Sequence, residues 1–431
     1  MRLQFADPSD HPHLGLLPFA TDLADWDLPH MHGVLGLHRH VVRLVELGPE
    51  DRRTSYVVKE LPDHLARREY RLLRQLADDR LPTAVVVAVA TGRTGDRDGL
   101  LITRHLDYSL PYRTLLSGRG LSIPYLGERL LDSLVGLLVR LHLAGFFWGD
   151  CSLSNALFRR DAGALQAYVI DVETSERHPS LTAGQRQLDL DIAVENVAGG
   201  LLDLQAGGRL VDVVDPWAIA DDFEARYGSL WNELTAVEEF APGELWRVEE
   251  RVRRLHDLGF DVAEMEVVAD DDGDRLRIVP RVVESGYHQE RLFALTGLRA
   301  GANQARRLLD DIRRFGPQLH ARSGRLPPEN IVAVRWLDQV FEPTIGAIPP
   351  ALVGKLQAPE IFHQLLEHRW FESERLGRDV TMEEALATYV PDVLAPAPDE
   401  QLQLDRPTSE LFLGDLGDSG EPEPSDATGH G

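Results

Sequence analysis

Cysteine is all but absent from this chain. Cys151 stands alone in 431 residues, which excludes an internal disulfide framework and a cysteine-built zinc site and suits a reducing cytoplasm. Positive charge is also in deficit: 45 Lys and Arg face 70 Asp and Glu, a formal net charge of −25. Non-specific nucleic-acid binding and adhesion to anionic membranes both need a positive field, so this balance argues against both. No apolar run approaches the ~20 uncharged residues of a membrane span; the leucine-rich stretch 126–141 is broken by Glu128, Arg129, Asp132 and Arg140. The opening MRLQFADPSDHPHLG lacks the apolar core of a secretion signal. Lysine is the last scarcity, with two of the 45 basic side chains, Lys59 and Lys355. Each surviving lysine marks a position where a compact ammonium serves and a planar guanidinium does not.

What remains is ordinary globular material, 43% hydrophobic and 27% charged, with room for two or three domains of ~100–200 residues. An irregular extension over 1–29 precedes a strand-rich segment. Residues 37–47 and 54–61 are β-branched runs around a Gly-Pro-Glu-Asp turn and predict a hairpin. Asp63 is placed to N-cap a helix carrying Leu65, Leu72, Leu73 and Leu76, and strands follow at 84–90 and 99–106. A long helix over 124–143 ends at Gly145, the expected C′ position. Short strands flank a turn at 161–164, and helices follow near 184–203 and 214–227. Beyond Pro242-Gly243 the spacing predicts a helix over 244–257, strands at 261–268 and 275–283, and helices near 287–296, 299–315, 358–376 and 380–389. The tail, 396–431, holds nine acids and one base and is expected to be disordered.

The chemistry concentrates in Gly149-Asp150-Cys151-Ser152-Leu153-Ser154-Asn155 and in Val169-Ile170-Asp171-Val172-Glu173. An Asp and an Asn five residues apart follow a buried helix, and a second Asp ends an apolar strand sixteen residues later. Phosphoryl transfer from ATP uses such a set, one carboxylate for the acceptor's proton and an amide oxygen plus a second carboxylate for Mg²⁺. Upstream, Lys59 lies in an apolar strand. Glu69 falls on the leucine stripe of the next helix, where a carboxylate needs a partner because an uncompensated buried charge costs ~3–5 kcal/mol. Lys59 is the natural partner.

In order, these segments resemble the protein-kinase-like superfamily, and most the lipopolysaccharide kinase (Kdo/WaaP)-like branch. The chain also resembles a family of uncharacterised actinobacterial proteins that join such a domain to a C-terminal domain of unknown function. The resemblance implies an α+β fold: a bilobal kinase-like domain over 30–235, a smaller α+β domain over 243–395, and the tail. It implies ATP and Mg²⁺ as cofactors, Asp150 as the catalytic aspartate, and Asn155 and Asp171 as metal ligands. Gly33, Gly36, Lys59 and Glu69 would bind the nucleotide, and Asp189 or Asp191 would brace the catalytic loop. The acceptor, whether protein, sugar or lipid, is left open, and a protein partner would use the C-terminal domain or the tail.

Three departures point to the alternative, a catalytically weak pseudokinase serving as a nucleotide-binding scaffold. The segment His32-Gly33-Val34-Leu35-Gly36-Leu37-His38 holds two glycines and no GxGxxG, so fewer backbone N–H groups can approach phosphate. Ser152 stands where many relatives carry a cation, and Asp-Val-Glu replaces Asp-Phe-Gly. Other features read as structure. His30, His32, His38 and His40 share strand faces without an acidic neighbour in sequence. The acidic turn 270–274 is a hairpin turn, Cys151 a packing thiol, and Trp336, Trp370 and Phe371 core residues. Thr408-Ser409 in the tail offers a phosphorylation site.

Overall fold

The computed structural model describes residues 1–400 except 8, 10, 34–38, 51, 117–125, 211–214, 237, 241–243, 245, 248–249, 252–261, 270–275, 283–285, 324–326 and 398. The expectations for Gly36, His38, the 270–274 turn, Thr408-Ser409, the tail beyond residue 400 and most of helix 244–257 lie outside the described residues.

Six strands form the N-terminal layer: β1 (Arg2–Phe5), β2 (Met31–Gly33), β3 (Val41–Leu47), β4 (Thr54–Leu61), β5 (Val86–Thr91) and β6 (Gly99–Arg104). Their order is β1-β5-β6-β4-β3-β2, antiparallel throughout. Strand alternation sets what each face meets. Tyr56 and Val58 pack with Leu14, Leu17, Leu23 and Trp26 on one side, while Lys59 and Leu61 share the other. The opening residues are therefore not the irregular extension expected. They supply an edge strand and an apolar cover, because a sheet face rich in valine needs one.

Helix α1 (Asp63–Asp78) packs on the opposite face and buries Ala66, Glu69, Tyr70, Leu72, Leu73 and Leu76. Each leucine so buried contributes roughly 1.5–3 kcal/mol. Asp63 is not the N-cap: Pro62 holds that position with extended backbone. The Asp63 carboxylate instead accepts the Gly92 N–H at 2.8 Å, tying the helix start to the β5–β6 turn.

The lower layer runs β7 (Leu110–Pro111), α2 (Tyr112–Leu116), α3 (Leu126–Leu143), β8 (Phe146–Phe147), β9 (Ala156–Asp161), β10 (Ala164–Val169), β11 (Glu176–Arg177), α4 (Ala183–Ala206) and α5 (Pro216–Thr235). The buried leucines of α3 share one core with α1, α4 and α5. Gly145 ends α3 at φ +75°, and a Cβ there would lie 2.3 Å from the His178 carbonyl oxygen, so only glycine fits. Strands β9 and β10 pair in register from Asp161↔Ala164 to Ala156↔Val169. The open end of this hairpin, where Ala156 faces Val169, brings Asn155 just before β9 beside Asp171 just after β10.

Further on, β12 (Glu238–Phe240), β13 (Val262–Ala269) and β14 (Leu276–Val282) form a sheet ordered β12-β14-β13. Helices Tyr287–Thr296, Ala302–Ser323, Glu329–Trp336, Glu342–Gly346, Ala358–Leu376 and Met382–Tyr389 follow. They close over two apolar clusters of their own, one centred on Trp336, Phe341 and Phe362, the other on Leu365 and Tyr389. The helices within 329–346 were not expected from the sequence. Trp336 is core, as read, but Trp370 and Phe371 are 55% and 60% exposed. Their helix is buried only over its N-terminal half, Pro359 to Leu365.

The tip of the β9–β10 hairpin is gripped by this C-terminal part. Buried Asp161 accepts the backbone N–H groups of Asn303 at 3.0 Å and Gln304 at 2.8 Å, satisfying two orphan donors at a helix start. Glu360 accepts the Ala162 N–H at 3.0 Å and the Gln304 side-chain amide at 2.8 Å. Arg160 donates to Glu400 at 2.5 Å. A Cβ on Gly301 would lie 2.3 Å from Asp161 Oδ1. Gly301→Ala is therefore expected to destabilise by about 1–3 kcal/mol, and much less in an Asp161→Ala background. Thermal unfolding of the two single variants and the double checks this; additive losses would contradict the contact.

Candidate functional site

Three elements converge on one ammonium. Strand β4 presents Lys59 toward α1, whose stripe presents Glu69, and the chain leaving β10 presents Asp171. Lys59 Nζ donates to Glu69 Oε1 at 2.8 Å and Asp171 Oδ2 at 3.0 Å, with Glu173 Oε2 at 3.7 Å. The pairing of Lys59 with Glu69 is as the sequence predicted. Glu173 and the direct Lys59–Asp171 contact were not foreseen. Burial lowers the affinity of Lys59 for its proton, yet Asp171 and Glu69 outweigh this and hold it above its ordinary value.

Glu69 is 1% exposed, and its Oε2 is a buried oxygen that finds no hydrogen-bond donor among the described residues. Burial pushes its carboxyl up to about 7, against the pull of Lys59 and reinforced by Asp171. A folded-state value above the unfolded one means folding takes up a proton between about pH 4.5 and 7. This group's contribution to stability therefore falls as pH rises through that window. Glu69→Gln, which mimics the protonated form, is expected to gain in Tm relative to wild type between pH 5 and pH 8. Parallel Tm curves for the two proteins would contradict it.

The second half of the site is the loop after β8. Asp189, fully buried on α4, accepts the N–H groups of Trp148 at 2.6 Å and Gly149 at 2.8 Å. It also faces His142 Nε2 at 3.0 Å, and His142 Nδ1 lies 2.6 Å from the Tyr227 hydroxyl. Asp189 is thus the brace that the sequence could not separate from Asp191, which is exposed and accepts from Gln187. Two backbone donors on a buried carboxylate fix the loop.

Beyond the brace, Asp150 is held from both sides. Asn155 Nδ2 donates to its Oδ2 at 2.9 Å, and Asn196 Nδ2 donates to its Oδ1 at 2.9 Å. Burial first, then the charges of Asp171 and Glu173, raise the Asp150 carboxyl above its usual range, against these two hydrogen bonds. Asn196 escaped sequence reading, although it lies seven residues, two helical turns, beyond Asp189 on the same face. Cys151 is buried, and burial pushes its thiol well up, as expected of a packing residue.

The halves are joined. Trp148 Nε1 donates to the Asp171 carbonyl at 3.1 Å, and the Ile170 N–H donates to the Asn155 carbonyl at 3.2 Å. On the strand side, His40 Nε2 lies 2.9 Å from Glu173 Oε2. The histidine therefore has an acidic partner, supplied by a segment 133 residues away, which sequence proximity could not show. Gly33 closes β2 opposite Arg43.

Oxygen donors suited to a hard divalent cation are present. One ligand oxygen each from Glu69, Asp171 and Glu173 lies within 4.8 Å of the others. Asn155 spends its amide nitrogen on the carbonyl and the carboxylate of Asp150, so its oxygen is the atom it could offer a cation. The chemistry of these oxygens suits a hard divalent cation such as Mg²⁺, while in this structure the Lys59 ammonium lies among the three carboxylates.

Residues 51–192 match the lipopolysaccharide kinase (Kdo/WaaP) family, and residues 229–394 match a domain of unknown function, DUF4032. Both bear out the resemblances drawn from the sequence, and the chain is kinase-like over the first of these segments. Among solved structures, WaaP in complex with acyl carrier protein is similar at 18% identity and a TM-score of 0.36, covering 60% of this chain and 99% of that one. The yeast RNA polymerase II CTD kinase CTDK-1 complex is similar at 14% identity and a TM-score of 0.25, covering 36% of this chain and 49% of the other. No curated protein matches the chain. Among the described residues, no helix is long and apolar enough to cross a membrane.

Proposed function

We propose that this kinase-like chain is an ATP-dependent phosphotransferase that passes the γ-phosphoryl group to a hydroxyl acceptor. The observation that carries the reading is the Lys59 ammonium shared by Glu69 and Asp171, opposite a loop braced by Asp189. Lys59, oriented by Glu69, would hold the nucleotide phosphates. Asp171, with Glu173 and the Asn155 amide oxygen, would hold Mg²⁺, which neutralises developing charge on the phosphates when bound. Asp150, fixed by Asn155 and Asn196, would orient the acceptor hydroxyl and take its proton, a role its raised affinity for protons suits. The test is ADP formation from Mg-ATP by the wild type and by Asp150→Asn; equal rates would overturn the assignment.

A nucleotide-binding scaffold without turnover is the second reading, and Ser152 favours it. Its hydroxyl accepts the Asn155 N–H at 3.2 Å, so this position braces the loop and supplies no cation to a transferring phosphoryl group. Mg-dependent nucleotide binding without ADP formation would select this reading.

A further inference from the structure

A cavity of about 390 Å³ opens between α1 and β11, the strand that follows the Asp171 segment. Arg68, Arg71, Leu72 and Gln75 line it from α1, and Glu176, Arg177 and His178 from the facing wall. The α1 residues sit at i, i+3, i+4 and i+7, one helical face. Three guanidinium groups and an imidazole line it with the Glu176 carboxylate, and Asp79 pairs with Arg177 beside it, in a chain whose net charge is −25.

The three arginines are differently engaged. Arg68 donates to the carbonyls of Glu173 at 2.6 Å and Ser175 at 2.7 Å, so it fastens α1 to the Asp171 segment and builds the wall. Arg177 is paired with Asp79 at 2.8 Å and remains about a third exposed. Arg71, on the opposite wall, donates to the Arg67 carbonyl at 3.3 Å, a long bond that leaves most of its fork for a ligand. His178 lies 3.2 Å from Glu176, which draws that carboxylate to one side. Leu72 gives an apolar floor and Gln75 an amide.

Forked cations on two walls, with the Gln75 amide beside Arg71 on one of them, suit tetrahedral oxyanions, which accept several charge-assisted hydrogen bonds at once. A metal cation would be repelled by Arg71 and Arg177, and a neutral ligand would leave the Arg71 charge unanswered. We propose that this cavity binds a phosphate-bearing small molecule, either inorganic phosphate or a small phosphate ester, at a site separate from the nucleotide cleft. Such a ligand bridges α1, which carries Glu69 beside Arg68, to the segment that carries Asp171.

Calorimetric titration of the full chain with inorganic phosphate, and separately with phosphoethanolamine, tests the site. Wild type is expected to bind at least one of them, and the Arg71→Ala/Arg177→Ala double variant to bind it at least about tenfold more weakly. Gln75→Glu, which keeps every arginine and adds a carboxylate, is expected to weaken binding likewise. The preferred probe identifies the source, a free anion or an ester, and either preference supports the site. The same titration in Lys59→Met, which disables the proposed nucleotide site and leaves the Arg68 contacts with the Glu173 and Ser175 carbonyls in place, is expected to retain binding, so failure of that reading and failure of this one are distinguishable. No binding of either probe to the wild type at 10 mM, or equal affinity in wild type and both cavity variants, overturns the proposal.

Discussion

Asp150→Asn is expected to lower Mg-ATP-dependent transfer by about 10²–10⁴-fold, the usual reach of a positioned proton acceptor, while leaving nucleotide binding within a few-fold of wild type. The substitution keeps the shape of the side chain and removes its charge. It also breaks the symmetry of its support. Both oxygens of Asp150 accept side-chain amide N–H groups, from Asn155 on one side and Asn196 on the other. Asparagine offers one oxygen, so one amide then faces another donor. A stability loss of about 1–3 kcal/mol accompanies this. Measuring ADP formation and Mg-ATP affinity on the same sample separates the two effects. A variant that binds and turns over like wild type would remove Asp150 from the chemistry.

Asp171→Ala is expected to weaken Mg-ATP binding by more than about a hundredfold, since even outer-shell changes at metal sites cost roughly 10–100-fold. Two consequences add. The variant removes the carboxylate offered to the cation, and it releases Lys59 from one of its two close partners. The Glu173 N–H also loses its acceptor, Asp171 Oδ1 at 3.0 Å, so the second acidic residue of the segment is freed to drift. Asp171 is about one-third exposed, which keeps the cost to folding smaller than the cost to binding. Titration of the variant with Mg-ATP measures this directly; affinity within threefold of wild type would contradict it.

Local patterns carried most of the fold. The hairpin of β3 and β4, α1, α3 and its glycine stop, and the β9–β10 hairpin each rest on periodicity and turn residues within a short window. The Lys59–Glu69 contact was also legible, because a carboxylate on an apolar helical stripe needs a cation nearby and this chain holds two lysines. Two of the misses share one cause, which is that the partners lie far along the chain. Nothing near His40 announces Glu173, and nothing near Asp161 announces the helix start at Asn303 and Gln304. The choice of Asp189 over Asp191 turns on which side of α4 faces the Trp148–Gly149 backbone, and neighbouring sequence does not fix that rotation. The edge strand Arg2–Phe5 is four residues long, too short for alternation to stand out beside the turn-forming residues that follow it.

Whether the cleft holds a nucleotide is tested most directly by thermal unfolding of wild type and Asp171→Ala, each with and without 1 mM Mg-ATP and with ATP plus a chelator. For an affinity near 10 μM, ligand at ~100 Kd adds about 2.7 kcal/mol to the native state, a rise in Tm of several degrees for a domain of this size. The expected result is a rise in wild type that needs Mg²⁺ and is lost in Asp171→Ala. Identical melting of wild type with and without Mg-ATP, or the same rise in the variant, would contradict a nucleotide site built on Lys59, Glu69 and Asp171.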